Sequence, residues 1–297
     1  MRPVKIITDS CSDLSPELME KYNIDYCKMN TVYNDETSPA NLSWTADEVH
    51  ELYGIMRAGN RVKTTQVPQE EFEKVFGNYI SQGFDIVYIG CALKQSGSVN
   101  TAAVLAKKLM AENSEIAVYC IDSLNASLGE GMLAIEAAKL AAEGKSASDI
   151  NSYILSIRKT VLEFVTVHSL DSLRKAGRVS ASSAFFGNLM GVKPIIISDA
   201  DGAQAAFKKV KGRKNSLKEI VSLLAEGIVE PEKQTVFLAH ADCDTAEVEE
   251  VKSMIKEMIP CKEIYTGYIG PIIGASIGPD AFAVFAFGNE VTYRANN

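Results

Sequence analysis

FDIVYIGCALKQSGSVNTAAVLAKKLMAEN, residues 84–113, carries three patterns in one line. Residues 84–90 are a continuous apolar, β-branched run, the composition of a strand buried on both faces. Residues 91–98 are small and polar, and 99–113 take up a helical period. A strand, a Ser/Gly loop and a helix in that order make half of a βαβ crossover, and crossovers of that kind build parallel sheets.

The same unit recurs on both sides. SEIAVYCIDS (114–123) followed by LNASLGEGMLAIEAAKLAAEG (124–144) repeats strand, small-residue loop and helix. Upstream, VKIITDS (4–10) is a strand and turn, and SPELMEKYN (15–23) is a helix opened by Ser15 with Pro16 at its first position. IDYCKMNTVYN (24–34) is extended and 35–44 reads as a loop. TADEVHELYGIMRAG (45–59) and PQEEFEKVFGNYISQG (68–83) are helices, and Ser98 is placed to cap the one at 99–113.

After a further helix near 146–160 the chain changes character. VLEFVTVHS (161–169), KPIIISDADGAQAAFKKVKGR (193–213), KQTVFLAHA (233–241), EIYTGYIG (263–270) and AFAVFAFG (281–288) are strands with fewer helices between them, and DADG at 199–202 is a hairpin turn. The expected fold class is α/β with two domains. Residues 1–160 form a parallel-sheet domain with helices on both faces, and 161–297 an α+β domain with a mixed sheet.

Composition narrows the function. With 30 Lys+Arg against 38 Asp+Glu in 297 residues, a net charge of −8 is the wrong sign for a nucleic-acid wrapper. No window reaches the roughly 18–20 apolar residues of a membrane span, and the N-terminal MRPVKIITDS lacks a signal-peptide core, so a cytoplasmic protein is expected. The six cysteines are scattered without metal or redox spacing, and no metal site is expected. Walker, dinucleotide and zinc-protease motifs are absent from the sequence, which leaves no expected cofactor.

In a parallel sheet, ligands collect beyond the carboxyl ends of the strands, where helix N-termini present free N–H groups. The loops there hold Asp9, Ser10, Ser12, Thr64, Thr65, Ser96, Gly97, Ser98, Asp122, Ser123 and Ser127, a set of hydroxyls and close-approach glycines suited to a small anion. Ser and Thr also populate such turns simply because they cap helices. NASLG (125–129) is one residue short of a nucleophile elbow, so a serine acyl-ester hydrolase or acyltransferase using Ser96 or Ser127 is the enzymatic alternative. KKVKGRK (208–214) is the one dense basic run, either a solvated strand end or a docking point for an acidic or phosphate-bearing partner through Arg213. SSAFFGNLMGV (182–192) is an apolar helical pattern, either plain core or the wall of a lipophilic pocket.

TDSCSDLSPE (8–17), KTTQVPQEEF (63–72), SGSVNTA (96–102), VYCIDSLNASLGEG (118–131), LRKAGRVS (173–180), GNLMGVKPII (187–196) and GPIIGASIGPDAFAV (270–284), in that order, resemble the DegV family of bacterial fatty-acid-binding proteins. The resemblance implies a non-enzymatic carrier that encloses a long-chain fatty acid and presents it to a separate fatty acid kinase catalytic subunit. It implies that Thr64 and Ser96 hold the carboxylate, with Ser276 standing where the family has a headgroup-contacting His. Thr65, Gly97, Ser98 and Ser127 fall in adjoining loops, Phe185, Phe186, Leu189 and Met190 would wall the acyl cavity, and Arg213 would engage the kinase. A lipid sensor with no kinase partner is a third possibility. The chain departs from the family pattern at Ser276, at Asp280 in place of a Gly, at Val67 in place of a Pro, and at ALKQ (92–95).

Overall fold

The computed structural model describes residues 2–168, 171–180 and 191–295. In chain order the first elements are β1 (Val4–Asp9), α1 (Pro16–Tyr22), β2 (Ile24–Cys27), β3 (Asn30–Tyr33), β4 (Glu36–Pro39), α2 (Ala46–Arg57), β5 (Lys63–Thr65) and α3 (Gln69–Ser81). There follow β6 (Asp85–Gly90), α4 (Ser98–Glu112), β7 (Val118–Asp122), α5 (Leu128–Ala142), α6 (Ala147–Ile157), β8 (Val161–Thr166), α7 (Asp171–Ala176) and β9 (Val179–Ser180). The last are β10 (Val192–Ser198), β11 (Gln204–Lys211), α8 (Arg213–Gly227), β12 (Thr235–His240), α9 (Thr245–Met258), β13 (Glu263–Tyr268), α10 (Pro271–Ile277) and β14 (Phe282–Phe287).

Contacts divide the chain into two units, Met1–Ser43 with Thr64–Arg158, and Trp44–Lys63 with Lys159–Asn297. A single cut near residue 160 therefore does not describe the grouping, because residues 44–63 join the second unit. The side chains of α2 explain this. Tyr53 is fully buried and its hydroxyl donates to the Ile269 carbonyl at 2.7 Å, and a Cβ on Gly274 would lie 2.4 Å from that hydroxyl. Arg57 donates to Asp242 Oδ2 and to Asp280 Oδ1, each at 2.6 Å.

The first unit holds a four-stranded parallel sheet in the order β2-β1-β6-β7. β1 leads to β2 through α1 and β6 leads to β7 through α4, in opposite directions across that order. Right-handed crossovers then put α1 and α4 on opposite faces; α3 packs beside α4, and α5 packs with α1 and α6. The sheet changes direction between β1 and β6, so their carboxyl ends flank the usual ligand crevice of such folds. Ser15 caps α1 ahead of Pro16, and Ser146 with Asp149 forms a capping box on α6. β3 and β4 form a hairpin, part of a small sheet β4-β3-β5, although the polar, turn-rich sequence of 35–44 reads as a loop.

Gly131 shows how tightly α5 sits beneath the loop after β1. A Cβ there would come within 2.8 Å of the Ser12 carbonyl and of Leu14 Cδ2. Alanine is the better helix former by about 1 kcal/mol, but a backbone carbonyl and a fully buried leucine cannot move aside cheaply. Gly131→Ala is expected to destabilise the protein by about 1–3 kcal/mol, read as a lower urea midpoint at unchanged m-value. An unshifted or raised midpoint would contradict this packing.

The second unit holds a seven-stranded mixed sheet, β13-β12-β14-β8-β10-β11-β9. Leu162, Ile195, Leu238 and Val284 face Leu217, Ile220, Leu224 and Val251 of α8 and α9 in one apolar core. Among the described residues no helix is long and apolar enough to cross a membrane.

Candidate functional site

The crevice loops are built from residues with very different duties. Ser10 donates to the Ala40 carbonyl at 2.7 Å and accepts the Met29 N–H at 3.0 Å, so it fastens two loops. Ser123 closes a local turn with Asn125. Asp122 accepts the N–H groups of Leu93 and Leu124. These hydroxyls and this carboxylate hold the frame of the crevice.

The segments carrying Thr64 and Ser96 are fastened together. Val67 N–H donates to Ser98 Oγ at 3.1 Å, and Ser96 Oγ lies 3.0 Å from Ser98 Oγ. Gln66 Nε2 donates to Thr101 Oγ1 at 3.0 Å. Gln66 lies directly over Gly97, where a Cβ would sit 2.3 Å from its Oε1, which is the close approach the glycine permits. Ser98 is fully buried, whereas Ser96 and Thr64 keep partial exposure. Among the described residues the Thr64 hydroxyl has no hydrogen-bond partner, and Thr65 Oγ1 is exposed and donates to the Gln66 carbonyl.

Ser98 does not cap α4. Gly97 occupies the cap position with no side-chain hydrogen bond and the first turn carries no acidic residue, so the positive end of a 15-residue helix meets no negative charge on its own first turn and lends only its first N–H, that of Ser98, to Ser96 Oγ at 3.3 Å. Val67 stands where the resembled motif has a proline, and it uses the N–H that proline lacks.

Ser127 has the strand-to-helix position of an elbow and a left-handed backbone, φ 54° and ψ −146°. Its hydroxyl is nevertheless buried and donates to Asp13 Oδ2 at 2.5 Å. The three histidines, His50, His168 and His240, all fall in the second unit, so the unit that carries Ser96 and Ser127 contains none. Beneath the crevice, Asp9 accepts from the Tyr88 hydroxyl at 2.6 Å and the Cys11 N–H at 2.9 Å, and Glu130 Oε1 accepts from Thr8 at 2.7 Å. Burial pushes both carboxyls up, Glu130 well above its ordinary range. Glu130 Oε2 is buried with no partner among the described residues. Sequence reading passed over Asp13 and Glu130; for Glu130 the visible clue was its place in the apolar, glycine-containing first half of α5, LGEGMLAI, of which every residue is buried.

In the second unit Ser276 lies on α10 and is half-buried. Asp280 has φ 62°, the conformation that favours glycine, and holds it while accepting from Arg57. Arg213 is engaged within its own unit: Nε and Nη2 each donate to Glu247 at 3.0 Å, and the guanidinium lies 5.2 Å over the Phe282 ring. Phe185, Phe186, Leu189 and Met190 lie outside the described residues. Among the described residues no cluster of His, Cys, Asp or Glu is arranged to hold a metal ion.

Comparison with known proteins gives a consistent picture. The profile of an uncharacterised protein family, DegV, matches residues 3–289. A DegV domain-containing protein of Clostridium perfringens is 33% identical over 294 residues, covering 97% of this chain and 99% of that protein. A DegV lipid-binding protein from Thermotoga maritima superposes with a TM-score of 0.84 at 26% identity, covering 98% of this chain and 100% of that one. DegV from Bacillus subtilis, described as a fatty acid binding protein, gives 0.83 at 25% identity over 97% and 100% of the two chains. A match across nearly the whole length, on the parallel sheet and mixed sheet described above, places this chain in the DegV family.

Proposed function

We propose that this protein is a cytoplasmic carrier of a long-chain fatty acid rather than an enzyme, and that it delivers the bound acid to a separate fatty acid kinase subunit. The observation that carries the reading is the fastening of segments 64–67 and 96–101 over the uncapped N-terminus of α4. That arrangement gathers neutral donors and a helix dipole, which suit a carboxylate. Thr64 and Ser96 donate to the carboxylate. Relatives described as lipid-binding and fatty-acid-binding support this assignment. At Arg213, the proposed docking point of the kinase, Glu247 holds Nε and Nη2, while Nη1 is buried with no hydrogen-bond partner among the described residues.

Burying an acyl chain is worth about 0.8 kcal/mol per methylene, so the ligand should survive purification. Organic extraction and mass spectrometry of freshly purified protein are expected to recover long-chain fatty acid at up to one molecule per chain. Recovery of no lipid, together with no uptake of added palmitate or oleate, would overturn the carrier reading.

A further inference from the structure

We propose that Ser98 is a positioning residue of the carboxylate grip, holding segment 64–67 in place and aiming the Ser96 proton at the ligand. The inference rests on the reading of Thr64 and Ser96 as the headgroup contacts. Its basis is an inventory of protons and lone pairs at two hydroxyls.

A serine hydroxyl has one proton and two lone pairs. Ser98 Oγ accepts the Val67 N–H at 3.1 Å, which uses one lone pair. Ser96 Oγ accepts the Ser98 N–H at 3.3 Å, and the two hydroxyl oxygens are 3.0 Å apart, with either able to donate. If Ser96 donates to Ser98, its proton is occupied and unavailable to a ligand. If Ser98 donates to Ser96, both lone pairs of Ser96 are filled and its own proton must go to a third group. An anion beside Ser96 selects the second arrangement. The result is a directed chain, Val67 N–H to Ser98 O–H to Ser96 O–H to carboxylate, in which each bond polarises the next.

Burial makes this arrangement dependable. Ser98 is fully buried, so water does not compete for its hydroxyl, while Ser96 stays partly exposed and reachable. Without the Ser98 hydroxyl, Ser96 Oγ keeps only the backbone N–H of residue 98 as a partner, so its proton is no longer directed, and the buried Val67 N–H loses its acceptor. Ser98 needs no contact with the ligand to act in this way.

The test is a comparison of two ligands with one tail, palmitate and hexadecanol, binding to delipidated full-length protein. Ser98→Ala is expected to weaken palmitate about tenfold, the loss of one good hydrogen bond, and to change hexadecanol by less than about twofold. Ser98→Thr, which keeps the hydroxyl, is expected to restore palmitate binding to within about threefold of the parent. Equal losses for both ligands would mean that Ser98 only supports the fold, and an unchanged palmitate affinity would mean that it does not position Ser96; either overturns the proposal. If Ser98→Ala fails to fold, Ser98→Cys, with a similar shape and a weak donor, is read by the same two criteria. A Thr64→Ala/Ser96→Ala protein run in parallel separates the two ideas. If it loses palmitate while Ser98→Ala does not, only the positioning role falls, and if neither loses palmitate the headgroup assignment falls as well.

Discussion

A Thr64→Ala/Ser96→Ala protein is expected to bind palmitate at least about a hundredfold more weakly than the parent, measured by displacement of a fluorescent fatty acid above pH 7. A hydrogen bond to a charged group is worth about 1.5–3 kcal/mol, and about 1.4 kcal/mol is a factor of ten in affinity. Two such bonds therefore bracket a loss from about a hundredfold to about ten-thousandfold. The lower figure is the better expectation, because both side chains are partly exposed and water can enter to solvate the headgroup. The N–H groups at the start of α4 also remain in the double variant. Residual binding should be sustained by the acyl tail, so hexadecanol should bind variant and parent nearly alike. Unchanged palmitate affinity would remove the carboxylate from this corner of the fold.

Segment 84–113 was legible because each part is decided locally. The buried run at 84–90 becomes β6, central in its sheet, and the helical period at 99–113 becomes α4, each displaced by no more than one residue at either end. What the sequence hid was decided by contacts distant along the chain. The pattern of 45–59 shows that one face of α2 is buried but not what buries it; the Tyr53 hydroxyl finds its acceptor 216 residues away. β4 is exposed throughout, so it has no apolar alternation to reveal it, and its turn is made by Asn34 and Asp35, both left-handed, rather than by a glycine. Ser98 looks like a cap from its neighbours alone, yet its hydroxyl is claimed by Val67, 31 residues earlier. Arg213 sits in a basic run, and its guanidinium is taken by Glu247 on another helix. The crevice hydroxyls were visible as a class; which of them are committed to the frame depends on tertiary partners.

Glu163 is the buried acid whose titration should be easiest to see. It lies on β8, 6% exposed, where the Ser198 hydroxyl donates to it and Gln204 Nε2 donates to both of its oxygens at 3.1–3.2 Å. Burial pushes its carboxyl up to about 7 against those donors, which favour the charged form. The folded state then holds a proton between pH 4.5 and about 7 that the unfolded chain has released. Stability from this residue is complete below about pH 4.5 and declines as pH rises through 7, a total of about 3 kcal/mol at 1.36 kcal/mol per pH unit. His240, pushed down to about 4 by burial, contributes the opposite slope between pH 4 and 6.5, and Asp9 and Glu130 add slopes of their own. The unfolding curve of the parent alone therefore mixes signs, and the informative quantity is a difference. Glu163→Gln removes one titration and leaves the others, so the variant's advantage over the parent should grow by about 2.5 kcal/mol between pH 5 and pH 8.5, part of the total being already lost at pH 5, read from urea midpoints at fixed ionic strength. A difference that stays flat across that range would mean that Glu163 is ionised in the fold, and that its two neutral donors satisfy a buried carboxylate without help from any cation.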